Sequence, residues 1–191
     1  MAQMLFQDAQ ETTGWPEEMS IRVSDGSHLL DLLWLRHRAI GNAEPSLPPA
    51  ELAGEPSASA DPVLVGTWER TWKQSLDHLR RVQEADPRSM SERSDLWAVP
   101  PSTATLIDAF DLDVSQGVSL WRESLSSAPG AEMAVVDSVR RAWEAGLRVV
   151  IELPLDGSYF RRLSDATLVV SAVTRRDSAE YSKTLNTFVS N

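Results

Sequence analysis

The sequence predicts an α+β fold: a small antiparallel sheet packed with several helices, helix-rich in its middle, in one globular domain spanning residues 1–191. Three observations predict it. Residues 147–153 put Leu147, Val149, Ile151 and Leu153 on one face and Arg148, Val150 and Glu152 on the other, which is the two-residue period of a strand. Residues 167–173 form a β-branched run, apolar on both sides, as in a strand inside a sheet. In the middle of the chain Val65, Trp68, Trp72, Leu76, Leu79 and Gln83 recur at three- and four-residue steps, the period of a helix face.

The elements follow in order. Residues 1–18 are polar with few apolar side chains and read as loosely held. Residues 19–23 suit a short strand with Ile21 and Val23 on one face. Ser24-Asp25-Gly26-Ser27 is turn and capping chemistry, and a helix over 28–40 follows, with Gly41 where a C-cap belongs. Leu29, Leu30, Leu32, Leu33, Trp34 and Leu35 cover much of its circumference, which predicts a central position in the core. Residues 42–62 carry Pro45, Pro48, Pro49, Pro56 and Pro62, which deny the segment regular hydrogen bonding and predict an irregular stretch. The amphipathic helix covers 65–84 and ends before Asp86-Pro87. Residues 96–99 suit a short strand. Ser102 caps a helix through Phe110, and a further short helix holds Val118, Trp121 and Leu125.

The last third reads helix, strand, loop, strand, helix. A helix over 132–145 presents Val135, Val136, Val139, Ala142 and Trp143, and Gly146 closes it. The thirteen residues 154–166 join the two strands. Their Pro, Gly and Ser content argues against the crossover helix that a parallel pair commonly uses, so the strands are expected to be antiparallel neighbours. Asp177 caps a final helix over 178–189, with Tyr181, Leu185, Phe188 and Val189 inward.

Composition narrows the function. Hydrophobic residues make up 42% and charged residues 24%, an ordinary globular balance. A net charge of −10 repels phosphate backbones and argues against nucleic-acid binding. The acid is unevenly spread: residues 1–60 hold 9 acidic and 3 basic side chains, whereas residues 147–191 hold 5 and 6, so a local basic site near the C-terminus is compatible with the total. Without cysteine there are no disulfides, thiolate metal sites or cysteine nucleophiles, which fits a reducing cytoplasm. No signal peptide is expected, because the first arginine is Arg22 and no apolar stretch follows it. No membrane contact is expected either, because the apolar run at 29–35 is short and broken by Asp31. Only two of the 18 basic residues are lysine, a bias that suits a GC-rich bacterial genome.

No motif assigns a catalytic residue, a metal or a cofactor. His28 and His37 are nine residues apart and fall about 180° apart on one helix, so they cannot share a metal. Asp111, Asp113 and Ser115 suggest a calcium loop, but its sixth position is Gln116 and its twelfth Arg122. Gly117-Val118-Ser119-Leu120-Trp121 lacks the second glycine of a nucleophile elbow. Trp34, Trp68, Trp72, Trp121 and Trp143 are expected in the core before they are expected around a ligand.

The candidate binding residues are Tyr159, Arg161 and Arg162, in the loop between the two strands. The competing expectation is that the arginines pair with Asp156 or Asp165. Arg175-Arg176 lie beyond the other end of the second strand, about 20 Å away at strand rise, and are not expected to join them. The expected function is a noncatalytic protein-interaction or regulatory domain, with a protein partner or a second copy of the chain as its target. The alternative is a small-molecule-binding enzyme with a site near the 154–166 loop.

Overall fold

In the computed structural model, which describes residues 15–40, 48, 61–84, 101–110, 118–119, 121–122, 125 and 130–190, strand β1 (Arg22–Ser24) feeds helix α1 (Ser27–Leu35) through a turn at Gly26. Gly26 has φ 56°, and a Cβ there would lie 2.7 Å from Ile151 Cγ2. Both the left-handed backbone and the close approach of β2 require glycine. A π-helical turn, Arg36–Ile40, continues α1.

Helix α2 (Pro62–Glu84) begins three residues before its apolar period does. Proline is tolerated in a first helical turn, and Asp61 Oδ1 accepts from the Val63 N–H at 2.8 Å. Its inward face is the expected one: Trp68, Trp72 and Leu76 are buried, and Val65 and Leu79 pack beside them. The Trp68 and Trp72 rings stack at 5.5 Å, and Trp68 Nε1 donates to the Leu32 carbonyl at 2.7 Å, fastening α2 to α1. Ser102 Oγ accepts from the Ala104 N–H at the start of α3 (Ala104–Phe110), as a cap should. Val118, Trp121 and Leu125 are helical and buried, with Trp121 edge-on to Trp34 at 5.2 Å.

The single helix expected over 132–145 is divided. Val135, at φ −130° and ψ 33°, separates α4 (Ala131–Ala134) from α5 (Val136–Glu144). Gly146 closes α5 as expected: the Leu147 N–H donates to the Ala142 carbonyl and the Gly146 N–H to the Trp143 carbonyl, a Schellman closure. Strands β2 (Val149–Leu153), β3 (Phe160–Arg162) and β4 (Thr167–Ser171) follow, then α6 (Ala172–Arg176) and α7 (Ser178–Ser190). Asp177 Oδ1 caps α7, accepting from the Ala179 and Glu180 N–H groups.

The fold is α+β, and its four-stranded sheet is mixed, in the order β1-β2-β4-β3. The expectation of antiparallel strands at 147–153 and 167–173 is corrected here. β2 and β4 are neighbours, but they run parallel, with Val149 opposite Thr167 and Leu153 opposite Ser171. The connection needs no helix because it contains a strand of its own. After β2 the chain passes over the position β4 will take and descends as β3 at the sheet edge. It then turns back through Ser164 and Asp165 into β4, which pairs antiparallel with β3. β1 pairs parallel with β2 on the other side.

Helices cover both faces. Val149, Ile151, Leu153 and Val169 join α1, α2 and α3 in one core, and Val150, Leu168 and Val170 join α5 and α7 in a second. Two covered faces explain why all five residues of both β2 and β4 are buried and why β4 is apolar on both sides. Among the described residues no helix is long and apolar enough to cross a membrane. Most of 42–62, the strand expected at 96–99 and the turn at 111–117 lie outside the described residues.

Candidate functional site

The structure separates Tyr159 from the two arginines. Tyr159 is half-buried against the first core, and its N–H donates to Ser171 Oγ and Thr174 Oγ1 at the start of α6. Its backbone thereby ties the β2–β3 connection to the end of β4. Arg161 and Arg162 alternate across β3, as successive strand residues must. Arg162 is spent on structure. It forms an ion pair with Asp165 at 2.9 Å, donates to the Phe188 carbonyl at 2.9 Å and lies 4.5 Å over the Phe188 ring. Arg161 is exposed and makes no ion pair among the described residues. The competing expectation of a local acidic partner therefore holds for Arg162 and Asp165.

Arg161 borders a cleft of 430 Å³ between α2 and β3. Trp72, Leu76 and Leu163 are its apolar lining; Lys73, Asp77 and Arg80 come from α2, and Arg161 and Arg162 from β3. Lys73, Asp77 and Arg80 sit at i, i+4 and i+7 of α2, so one side of that helix carries all three. Arg80 leans 3.8 Å from Asp77 in an exposed pair. The α2 half of this site went unnoticed in the sequence because these charges read as an ordinary solvated helix face.

Removing Arg161 should leave stability within about 0.5 kcal/mol, because an exposed unpaired side chain holds nothing together. Removing Arg162 should cost about 1–2 kcal/mol through its hydrogen bonds and ring contact. Urea unfolding of the two alanine variants measures the difference, and equal losses would contradict the separate roles.

The tightest cluster of charged groups lies elsewhere. Glu152, near the end of β2 on its second-core face, meets Glu132 from α4, Arg175 from α6 and Tyr181 from α7. Arg175 donates through Nε and Nη2 to both Glu132 oxygens at 2.9 and 2.8 Å, and through Nη1 to Glu152 Oε2 at 2.8 Å. The Tyr181 hydroxyl donates to Glu132 Oε1 at 3.1 Å. Glu132 lies in the short helix α4, on the N-terminal side of the break at Val135. Burial disfavours charge on Arg175, but the two carboxylates outweigh it and hold the guanidinium protonated. Burial raises the Tyr181 phenol well above its ordinary range, and the Glu132 charge adds to the effect. Glu152 is raised by burial and by Glu132, against the pull of Arg175 and Arg176, and its Oε1 has no hydrogen-bond partner among the described residues. A glutamate within the apolar run Val149-Val150-Ile151-Glu152-Leu153 was the available signal, since a charge in a strand covered on both faces must find a partner. The other half of that signal, Glu132, lies too far away in sequence to read.

The raised Glu152 fixes the sign of a pH effect. The native state holds this proton to higher pH than the unfolded chain does. Its contribution to stability is therefore complete below the ordinary value of 4.5 and is lost as pH rises through the raised native value. As pH falls from neutrality, the wild type should gain stability relative to Glu152→Gln, which has no proton to take up. Identical pH profiles in urea unfolding would show that Glu152 does not titrate in this way.

The described tryptophans of the two cores serve packing. Trp68, Trp72 and Trp121 are buried, Trp34 and Trp143 are half-buried, and the Trp143 ring carries the Arg148 guanidinium at 4.8 Å. Compared with known protein families, with curated proteins and with solved structures, the chain matches none of them.

Proposed function

We propose that this chain is a noncatalytic protein-interaction or regulatory domain that works in the cytoplasm and holds its target in the cleft between α2 and β3. The observation that carries the reading is the convergence of Arg161 with Lys73 and Arg80 of α2 around one concave surface. Arg161 supports it further, because an exposed arginine without an ion pair among the described residues is free to bind. The net charge of −10 argues for a target other than nucleic acid. A protein partner, a second copy of the chain or a small regulator would each use the same surface.

Native mass spectrometry of the protein purified from its own cell tests the reading. A bound species is expected with the wild type and with Lys183→Gln, and is expected to be lost from the double variant Lys73→Gln, Arg161→Gln. Retention by the double variant would place binding elsewhere. The alternative, a small-molecule-binding enzyme with its site near residues 154–166, predicts that the bound species changes mass on incubation. The present reading predicts that it is recovered unaltered.

A further inference from the structure

We infer that α4 is a proton-controlled latch: Glu132 is its bolt, the Glu132–Arg175–Glu152 cluster is its keeper, and it opens as pH rises while the sheet stays folded. The latch lies on the second-core face and does not rest on the binding reading above.

α4 is held differently from the helices around it. The buried side chain among its four residues is Glu132. Ala134 is exposed, and the half-buried Met133 belongs to neither core. Charge and hydrogen bonds to Arg175 and Tyr181 therefore fasten α4, whereas apolar burial fastens α5 and α7. The receiving side is fixed. Ser171 Oγ accepts from the Thr174 N–H at 3.1 Å and Thr174 Oγ1 from the Tyr159 N–H at 3.1 Å, so α6 keeps Arg175 in place. Tyr181, Leu185 and Phe188 seat α7 in the second core. The ends of α4 can turn. Gly130 precedes it at φ 87°, and a Cβ there would meet nothing within 4 Å among the described residues. Val135, non-helical at φ −130° and ψ 33°, follows it. Such residues at the ends of an element absorb the backbone change of a hinge.

The cluster is also built to respond to a proton. Glu132 and Glu152 share Arg175, and Glu152 Oε1 is buried without a hydrogen-bond partner among the described residues. A bare buried oxygen is costly on a carboxylate and much less so on a carboxylic acid. The charged groups facing Glu152 are Arg175 and Arg176 from α6 and Glu132 from α4; Tyr181 from α7 faces Glu132. Swinging α4 away lets water in, removes the Glu132 charge and leaves Arg175 to Glu152 alone. Each of these changes favours the ionised Glu152. The open state thus holds the Glu152 proton less tightly than the shut state, and losing that proton favours opening. Opening bares Arg175 and Glu152 at the carboxyl ends of β2 and β4.

Hydrogen exchange of the full chain, followed residue by residue by NMR and divided by the intrinsic rates, tests the inference. The probes are the Met133 and Val135 amides, bonded to the Gly130 and Glu132 carbonyls, and the Arg175 Nε–H, bonded to Glu132. From about pH 5 to about pH 8 their protection is expected to fall about tenfold, while the Leu168 and Val170 amides of β4 stay protected. A flat profile, or loss of protection in step with β4, would overturn the latch. Glu152→Gln should keep α4 protected at every pH. If its profile falls as the wild type's does, the controlling proton is not on Glu152 and the inference fails. Glu132→Ala should speed exchange of the two α4 amides about tenfold at every pH and leave β4 protected. Unchanged α4 exchange in that variant would show that Glu132 is not the bolt.

Discussion

Replacing Arg175 with Met is expected to destabilise the protein by about 3–5 kcal/mol, the cost of leaving buried charges without their partner. The Arg175 side chain is 6% exposed, and those of Glu132 and Glu152 are 12% and 3% exposed. Arg175 makes hydrogen bonds to both carboxylates. Without it two acids would face each other behind the sheet, and one or both would have to take up a proton or open a path to water. The elements joined there are distant in the chain, so the loss should loosen α4 and α7 together. Urea unfolding at neutral pH gives the magnitude. Adding Glu132→Gln and Glu152→Gln to the Met variant should restore much of it, because the penalty lies in the uncompensated charges more than in the missing ion pair. A loss under about 1 kcal/mol for the single variant would show that water reaches the cluster, as at a surface pair.

Trp72→Ala is expected to cost a similar amount, about 3–5 kcal/mol, through a large cavity and lost contacts. The ring is 1% exposed and lies nearly parallel to Trp68, with 9° between their planes. Trp68 is itself held by its hydrogen bond to the Leu32 carbonyl, so it is poorly placed to move into the space. Trp72→Phe should retain more of the stability. A loss below about 1 kcal/mol for Trp72→Ala would show that this face of α2 is not enclosed.

Much of the chain is legible locally. Trp68, Trp72 and Leu76 declare the buried face of α2, Gly146 and Asp177 mark helix ends, and the run at 167–173 announces an interior strand, because side-chain period and cap chemistry act over a few residues. The direction of that strand was not legible. Its connection to β2 has a composition that disfavours a helix, and the chain solves the crossover with the short edge strand β3 instead. The site was half legible: Arg161 and Arg162 stood out as an adjacent pair, while Lys73 and Arg80 looked like ordinary solvated charges.

The sequence by itself therefore determined the long helix α2, the interior strands β2 and β4, the final helix and which of their faces are apolar, but not β3, α6 or the break at Val135. Only the tertiary structure decided that β2 and β4 run parallel, that Arg161 shares a cleft with α2, and that Glu132 and Glu152 meet at Arg175. The physical reason is range. Period and capping are properties of neighbouring residues, whereas Arg175 meets Glu132 across 43 positions, and no local pattern of apolar and polar side chains records which distant charges a packed sheet will bring together.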